Sequence, residues 1–183
     1  FLKMRKLPCL IVLMLVFLSC KEEVNSDKNV EINQSDFKLK NDFAQLSSKL
    51  TNFDTVNISV DLSICTWERI EKIQLTKSND SLKINLIVED SDFEVQHQFF
   101  KIEENDSVWK IGNFLKNNEN RLKTNDSDSS PRMVVFNKTD TLKYYTDGLV
   151  DSNNFIAEYY RMMHKIDPTN ELYDLITTVD SIK

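Results

Sequence analysis

Glycine is almost absent from this chain of 183 residues: only Gly112 and Gly148 occur. A phosphate cradle needs several glycines in one loop so that the backbone can approach the anion, so nucleotide-binding loops are excluded. Histidine is equally scarce, with His97 and His164 alone. The three cysteines, Cys9, Cys20 and Cys65, form no CxxC pair. Structural zinc therefore has no ligand set, and no metal or other cofactor is expected. Long apolar runs are missing apart from residues 7–18. That block is 12 residues long, whereas a helix crossing a bilayer core needs about 20.

What surrounds the block gives it meaning. Lys3, Arg5 and Lys6 precede it, and Cys20 follows, with Lys21, Glu22 and Glu23 immediately after. A basic region, a short apolar region and a small residue before a cut site are the marks of a signal peptide. Leu18-Ser19-Cys20 resembles a bacterial lipobox, and the resemblance covers about the first 20 residues. It implies cleavage before Cys20 and a diacylglyceryl thioether on its sulfur. Two or more acyl chains anchor stably where one holds only marginally. In lipoprotein families an aspartate after the cysteine tends to mean inner-membrane retention. Lys21 stands there instead, which implies the outer membrane. Lys21-Glu22-Glu23 is also similar to the Lys-(Asp/Glu)₂ surface signal of one large Gram-negative phylum.

Expected organisation is a signal peptide over 1–19, a lipidated cysteine and polar tether over 20–35, and one domain over 36–183. Removing the first 19 residues leaves 20 Lys and Arg against 29 Asp and Glu, a net charge of −9. Nucleic acid is a poor partner for such a surface, because its binding relies on basic side chains neutralising phosphates. Docking of the domain on an anionic bilayer is disfavoured for the same reason, leaving the lipid on Cys20 as the membrane contact. Cys65 would be the single free thiol of the mature chain, which rules out an internal disulfide.

Periodicity predicts an α+β fold: an antiparallel β-meander of five to seven strands with an amphipathic helix packed on it at each end. Leu39, Phe43, Leu46, Leu50 and Phe53 fall on one helical stripe, with Ser35 or Asp36 as cap. Val56, Ile58, Val60, Leu62 and Ile64 alternate with polar residues, as in a strand with one buried face. Further strands are expected at 69–76, at 82–88 with Leu82, Ile84, Leu86 and Val88 inward, at 93–101 with Phe93, Val95, His97 and Phe99 on one side, and at 108–111 around Trp109. Residues 113–122 suggest a helix and 124–131 a loop. A hairpin over 133–136 and 141–146 turns around 138–140. The last helix carries Phe155, Ile156, Tyr159, Met163 and Ile166 on one face, capped by Asp151 or Ser152 and ended by Pro168. "Asn-Asp-Ser" at 79–81, 105–107 and 125–127 reads as reused turn chemistry.

Candidate chemistry is thin. His97 and Cys65 are the pair from which a nucleophile could be built, but no third orienting residue is apparent. His97, on the apolar side of its strand, reads as a core histidine. Met162, Met163 and His164 diverge on a helical wheel, so they suit packing with a rim histidine better than a soft metal. Asp126 and Asp128 open a calcium-like pattern that fails at Asn137, where a bidentate glutamate is needed. Glu89, Asp90, Asp92 and Glu94 crowd one turn, and such runs are usually solvated.

The aromatic pairs Tyr144/Tyr145 and Tyr159/Tyr160, with Trp67 and Trp109, raise the prospect of recognition surfaces. Five tripeptides, beginning at Asp54, Asp80, Asp106, Asp140 and Asp180, resemble the Asp-(Ser/Thr)-aliphatic O-glycan acceptor of that same phylum. This makes Thr55, Ser81, Ser107, Thr141 and Ser181 candidate acceptors on exposed loops. An Asp-Ser turn feeding a strand generates the same tripeptide for structural reasons.

Two function classes follow. The first is a noncatalytic envelope lipoprotein that binds a protein or glycan partner, an immunity-like toxin inhibitor included. The second is a small envelope hydrolase using His97 or Cys65. A partner is not identified by the sequence.

Overall fold

The structure, a computed structural model, describes residues 35–103, 109–123 and 130–174. The signal peptide, Cys20, the tether, Ser107, Ser181, Val108, the acidic pair Asp126 and Asp128, and the end of the chain beyond 174 lie outside the described residues.

Six strands form one open antiparallel sheet: β1 Thr55–Asp61, β2 Arg69–Ser78, β3 Ser81–Asp90, β4 Phe93–Glu103, β5 Met133–Phe136 and β6 Thr141–Tyr144. Their order is β4-β3-β2-β1-β5-β6. The first four make a meander, and the β5–β6 hairpin is laid along the free edge of β1. This is the expected α+β architecture.

Turn chemistry sets the registers. Ser78 pairs with Ser81 across Asn79-Asp80, and Asn79 has φ 55, the left-handed conformation that a two-residue hairpin requires and asparagine tolerates. Between β5 and β6, Asn137 Oδ1 accepts from the backbone N–H of Thr139 and Asp140 at 3.0 and 2.7 Å. Inward positions then follow by alternation: Val56, Ile58 and Val60 on β1, Ile73 and Leu75 on β2, Leu82, Ile84, Leu86 and Val88 on β3, Met133 and Val135 on β5.

Strand β4 breaks the expectation. Val88 pairs with Gln96, yet Asp90 pairs with Phe93, so β4 takes three steps where β3 takes two. This β-bulge reverses the facing of everything beyond it. Gln96, Gln98, Phe100 and Ile102 share the inner face, while Val95, His97 and Phe99 point outward, with Val95 55% and Phe99 76% exposed. His97 is exposed and is not a core residue.

Helices cover the inner face. The first runs as α1 Leu39–Asp42, a 3-10 turn at Phe43–Gln45, and α2 Leu46–Lys49. It starts without a side-chain cap on Lys38. Ser35 instead donates to Asp54 Oδ2 at 2.6 Å and accepts from the N–H of Phe37 at 3.1 Å. The stripe holds for Leu39, Phe43, Leu46 and Leu50, but Phe53 lies past the helix and is 66% exposed.

The 3-10 interruption sits where α3, Ile111–Asn117, comes closest. A Cβ at Gly112 would lie 2.6 Å from the Ala44 carbonyl oxygen, so only glycine permits that approach. The strand expected at 108–111 is replaced by buried Trp109 leading into α3, followed by a 3-10 turn at Glu119–Arg121.

Helix α4, Gly148–Met163, begins one turn earlier than expected, at a glycine with φ 74. The N–H of Asp147 donates to Asp151 Oδ2 at 2.9 Å. Phe155, Ile156, Tyr159 and Met163 are buried as the stripe predicts. Helix α5, Glu171–Asp174, brings Tyr173 into the same core.

Candidate functional site

Alternation along β2 places Arg69 and Glu71 on the inner face beside Ile73 and Leu75, an unusual position for two charges. Both are buried, Glu71 completely. Arg69 donates through Nε and Nη2 to Glu71 Oε1 at 2.9 and 2.6 Å. It also reaches Asp90 Oδ2 through Nη1 at 3.4 Å. The other side of Glu71 takes the phenol of Tyr159 on Oε2 at 2.7 Å, and the Tyr173 hydroxyl lies 2.9 Å from both carboxylate oxygens. Trp67 Nε1 donates to Asp90 Oδ1 at 3.1 Å.

Burial opposes the charge on Arg69, yet the adjoining Glu71 carboxylate outweighs it and keeps the guanidinium more firmly protonated than usual. Burial first, and the Glu71 charge second, raise the phenols of Tyr159, Tyr160 and Tyr173, that of Tyr160 to about 12. Every oxygen of Glu71 is thus engaged by the fold itself. The cluster ties β2 to α4 and α5; it holds no carboxylate poised toward solvent. Beside it opens a cleft of about 460 Å³ lined by Trp67, Arg69, Phe93, Gln96, Asn170, Glu171 and Leu172.

The opposite face of the sheet has a different character. Register aligns one row across five strands: Phe99 opposite Asn85, Asn85 opposite Gln74, Gln74 opposite Asn57, and Asn57 opposite Phe136. The neighbouring row is His97, Ile87, Lys72, Ser59 and Val134. Every residue of both rows is exposed or half-buried. A groove of about 420 Å³ runs here, lined by Asn57, Ser59, Lys72, Gln74, Asn85, Ile87 and Phe136 among others. Gln74 Nε2 donates to Asn57 Oδ1 at 3.4 Å, and Lys72 is held by Glu89 at 2.5 Å. Asn85 Oδ1 is enclosed by its neighbours and has no hydrogen-bond partner.

Other expected residues are scattered. His97 stands in the outer row, and Cys65 is exposed in the β1–β2 connection with φ 52. Among the described residues, no hydrogen bond or ion pair joins His97 to Cys65 or to a carboxylate. His164, expected at an exposed rim, is half-buried, and its Nδ1 has no partner. The acidic turn is split: Glu89 pairs with Lys72 and Asp90 with Arg69, whereas Asp92 and Glu94 are exposed. Among the described residues no group of three or more His, Cys, Asp and Glu could hold a metal.

Three candidate acceptors each open a strand, β1, β3 and β6: Thr55 is half-buried, Ser81 buried, and Thr141 exposed. For all three the loop placement is corrected, since each backbone already belongs to the ladder, and Ser81 is buried as well. Tyr144, Tyr145, Tyr159, Tyr160 and Trp109 are all buried. Among the described residues the exposed aromatics are phenylalanines: Phe53, Phe93, Phe99 and Phe136.

Two features escaped the sequence reading. The Arg69–Glu71 pair was visible as opposite charges two residues apart on the apolar side of a strand. The carboxamide row needed the strand register, which no periodicity supplies. Among the described residues no helix is long and apolar enough to cross a membrane. Compared with protein-family models, with curated proteins and with solved structures, the chain gives no match.

Proposed function

We propose that this chain is a bacterial envelope lipoprotein, anchored in the outer membrane through lipid on Cys20, whose domain is a noncatalytic binding module for a protein or glycan partner. The observation that carries the binding reading is the outer sheet face. A folded domain normally covers or charges such a surface, and here it presents Val95, Phe99 and Phe136 on a face whose groove mixes carboxamide and aliphatic side chains. The basic region, the short apolar block and Cys20 support the anchor. Glycan attachment, where it occurs among the described acceptors, suits Thr141 best, because that residue is exposed.

The test has two arms. Mass spectrometry of the chain from envelopes should find a new terminus at an acylated Cys20, and Cys20→Ala should accumulate as uncleaved precursor. An intact Met4 terminus or an unmodified thiol sinks the anchor. Capture from solubilised envelopes should recover a partner with wild type and not with Phe99→Ser. Turnover on an ester, peptide or glycan panel that disappears in His97→Ala would replace the binding reading with the hydrolase.

A further inference from the structure

We infer that the outer groove is a subsite for a neutral linear oligosaccharide lying across the strands; this rests on the proposed use of the outer sheet face for binding. Three carboxamides, Asn85, Gln74 and Asn57, stand side by side on β3, β2 and β1, with Phe99 and Phe136 closing the row at its ends. A carboxamide offers both a donor and an acceptor, which is also what a sugar hydroxyl offers. Each can therefore exchange two hydrogen bonds with a vicinal diol once the long 3.4 Å bond from Gln74 Nε2 to Asn57 Oδ1 opens. Neighbouring strands lie about 4.8 Å apart, close to the advance of one sugar residue along an extended chain, so the amides present one polar contact per sugar.

The terminal rings supply apolar faces for the C–H side of a pyranose, as aromatics with exposed faces do in recognition sites. From Phe99 to Phe136 the row spans roughly 19 Å by the same strand spacing, room for about four sugars. Asn85 Oδ1, enclosed and unpartnered, is an acceptor that a ligand hydroxyl would satisfy once the amide turns outward. Its present state is costly for a polar atom.

Charge decides the class. Among the residues lining the groove the one lysine, Lys72, is paired with Glu89 at 2.5 Å, so the lining itself offers no unpaired cation to an acidic sugar. A peptide strand would instead need the sheet edge, where backbone groups lie, and the amide row sits at the middle of the sheet. The groove volume of about 420 Å³ falls within the range of small-ligand sites.

The experiment uses the full chain in a zwitterionic, sugar-free detergent, titrated calorimetrically with cellohexaose, maltohexaose, mannohexaose, N-acetylated chitohexaose and, as the acidic arm, hexagalacturonate. At least one neutral hexasaccharide should bind. Gln74→Ala, Phe99→Ala and Phe136→Ala should each weaken it on the order of fivefold with the melting temperature retained. Absence of binding to every neutral sugar, or tighter binding of hexagalacturonate, overturns the inference. An envelope protein captured by wild type and lost in Phe99→Ser, with no sugar bound, overturns the glycan assignment while leaving the sheet-face reading standing. Neutral-sugar binding that all three substitutions leave unchanged overturns both.

Discussion

Glu71 shows how much one residue can be asked to organise. Fully buried, it receives a guanidinium fork and two phenols, and its removal leaves Arg69 charged with no counterion but Asp90, 3.4 Å away. Breaking a buried pair from one side costs about 3–5 kcal/mol, so Glu71→Ala should lower the urea unfolding free energy by that amount. Tyr173→Phe removes a hydrogen bond to a charged group and should cost about 1.5–3 kcal/mol. A Glu71→Ala protein of wild-type stability would mean that the cluster is not formed. Gly112→Ala tests a different contact: its methyl would press on the Ala44 carbonyl at 2.6 Å, and overpacking against backbone costs about 1–3 kcal/mol, again read by denaturant unfolding. Glycine scarcity marked Gly112 as unusual but not what it touches.

Among the elements, β4 separates what alternation can and cannot reveal. On β1 and β3 the period-two pattern named the inward side chains from Val56 to Leu62 and from Leu82 to Val88, because each strand keeps one register along its length, whereas Ile64, beyond the end of β1, is 44% exposed. On β4 the pattern was equally clean, and it pointed the wrong way. The bulge opposite Glu89 is one residue of geometry, and it moves Phe99 to the surface and Phe100 toward the core.

Substitution can read that parity directly. Phe99→Ala should change stability by no more than about 0.5 kcal/mol, as exposed positions do. Phe100→Ala, half-buried, should cost about 2 kcal/mol, short of the ~3–5 kcal/mol of a fully buried ring. Reversed magnitudes would restore the unbulged register. The helices fared better because a stripe of four or five apolar residues tolerates a local 3-10 turn: Leu39, Phe43, Leu46 and Leu50 still face inward across the interruption.

For the whole molecule, the raised phenols couple folding to pH. Tyrosine in the unfolded chain titrates near pH 10, while Tyr159, Tyr160 and Tyr173 are held protonated above that by burial and by Glu71. Above about pH 10 the unfolded state therefore releases protons that the folded state retains. The stabilisation is fully present below pH 10 and falls as pH rises, by about 1.4 kcal/mol per pH unit for each tyrosine. Unfolding followed from pH 8 to 12 should show a sharp alkaline loss, and Tyr160→Phe should make it shallower. A flat profile to pH 12 would contradict the buried phenols.

At this scale the fold class was legible, since alternating strands and two striped helices leave few architectures. The candidate site was not. It consists of polar residues such as Gln74 and Asn57, spaced 17 apart in the chain, which become neighbours only through pairing.

That same long-range pairing bears on when the fold can close during synthesis. The hydroxyl donors of Glu71 come from positions 88 and 102 residues further along the chain. Chains emerge from the ribosome amino end first, so β1 to β4 are complete while the two phenols that bond Glu71 are still unmade. Until Tyr159 and then Tyr173 appear, the inner face of the nascent sheet stays open to water and the Glu71 carboxylate stays hydrated, so it resists premature burial beside Arg69 alone. A chain built this way closes its inner face only after the helix that carries Tyr173 has been synthesised.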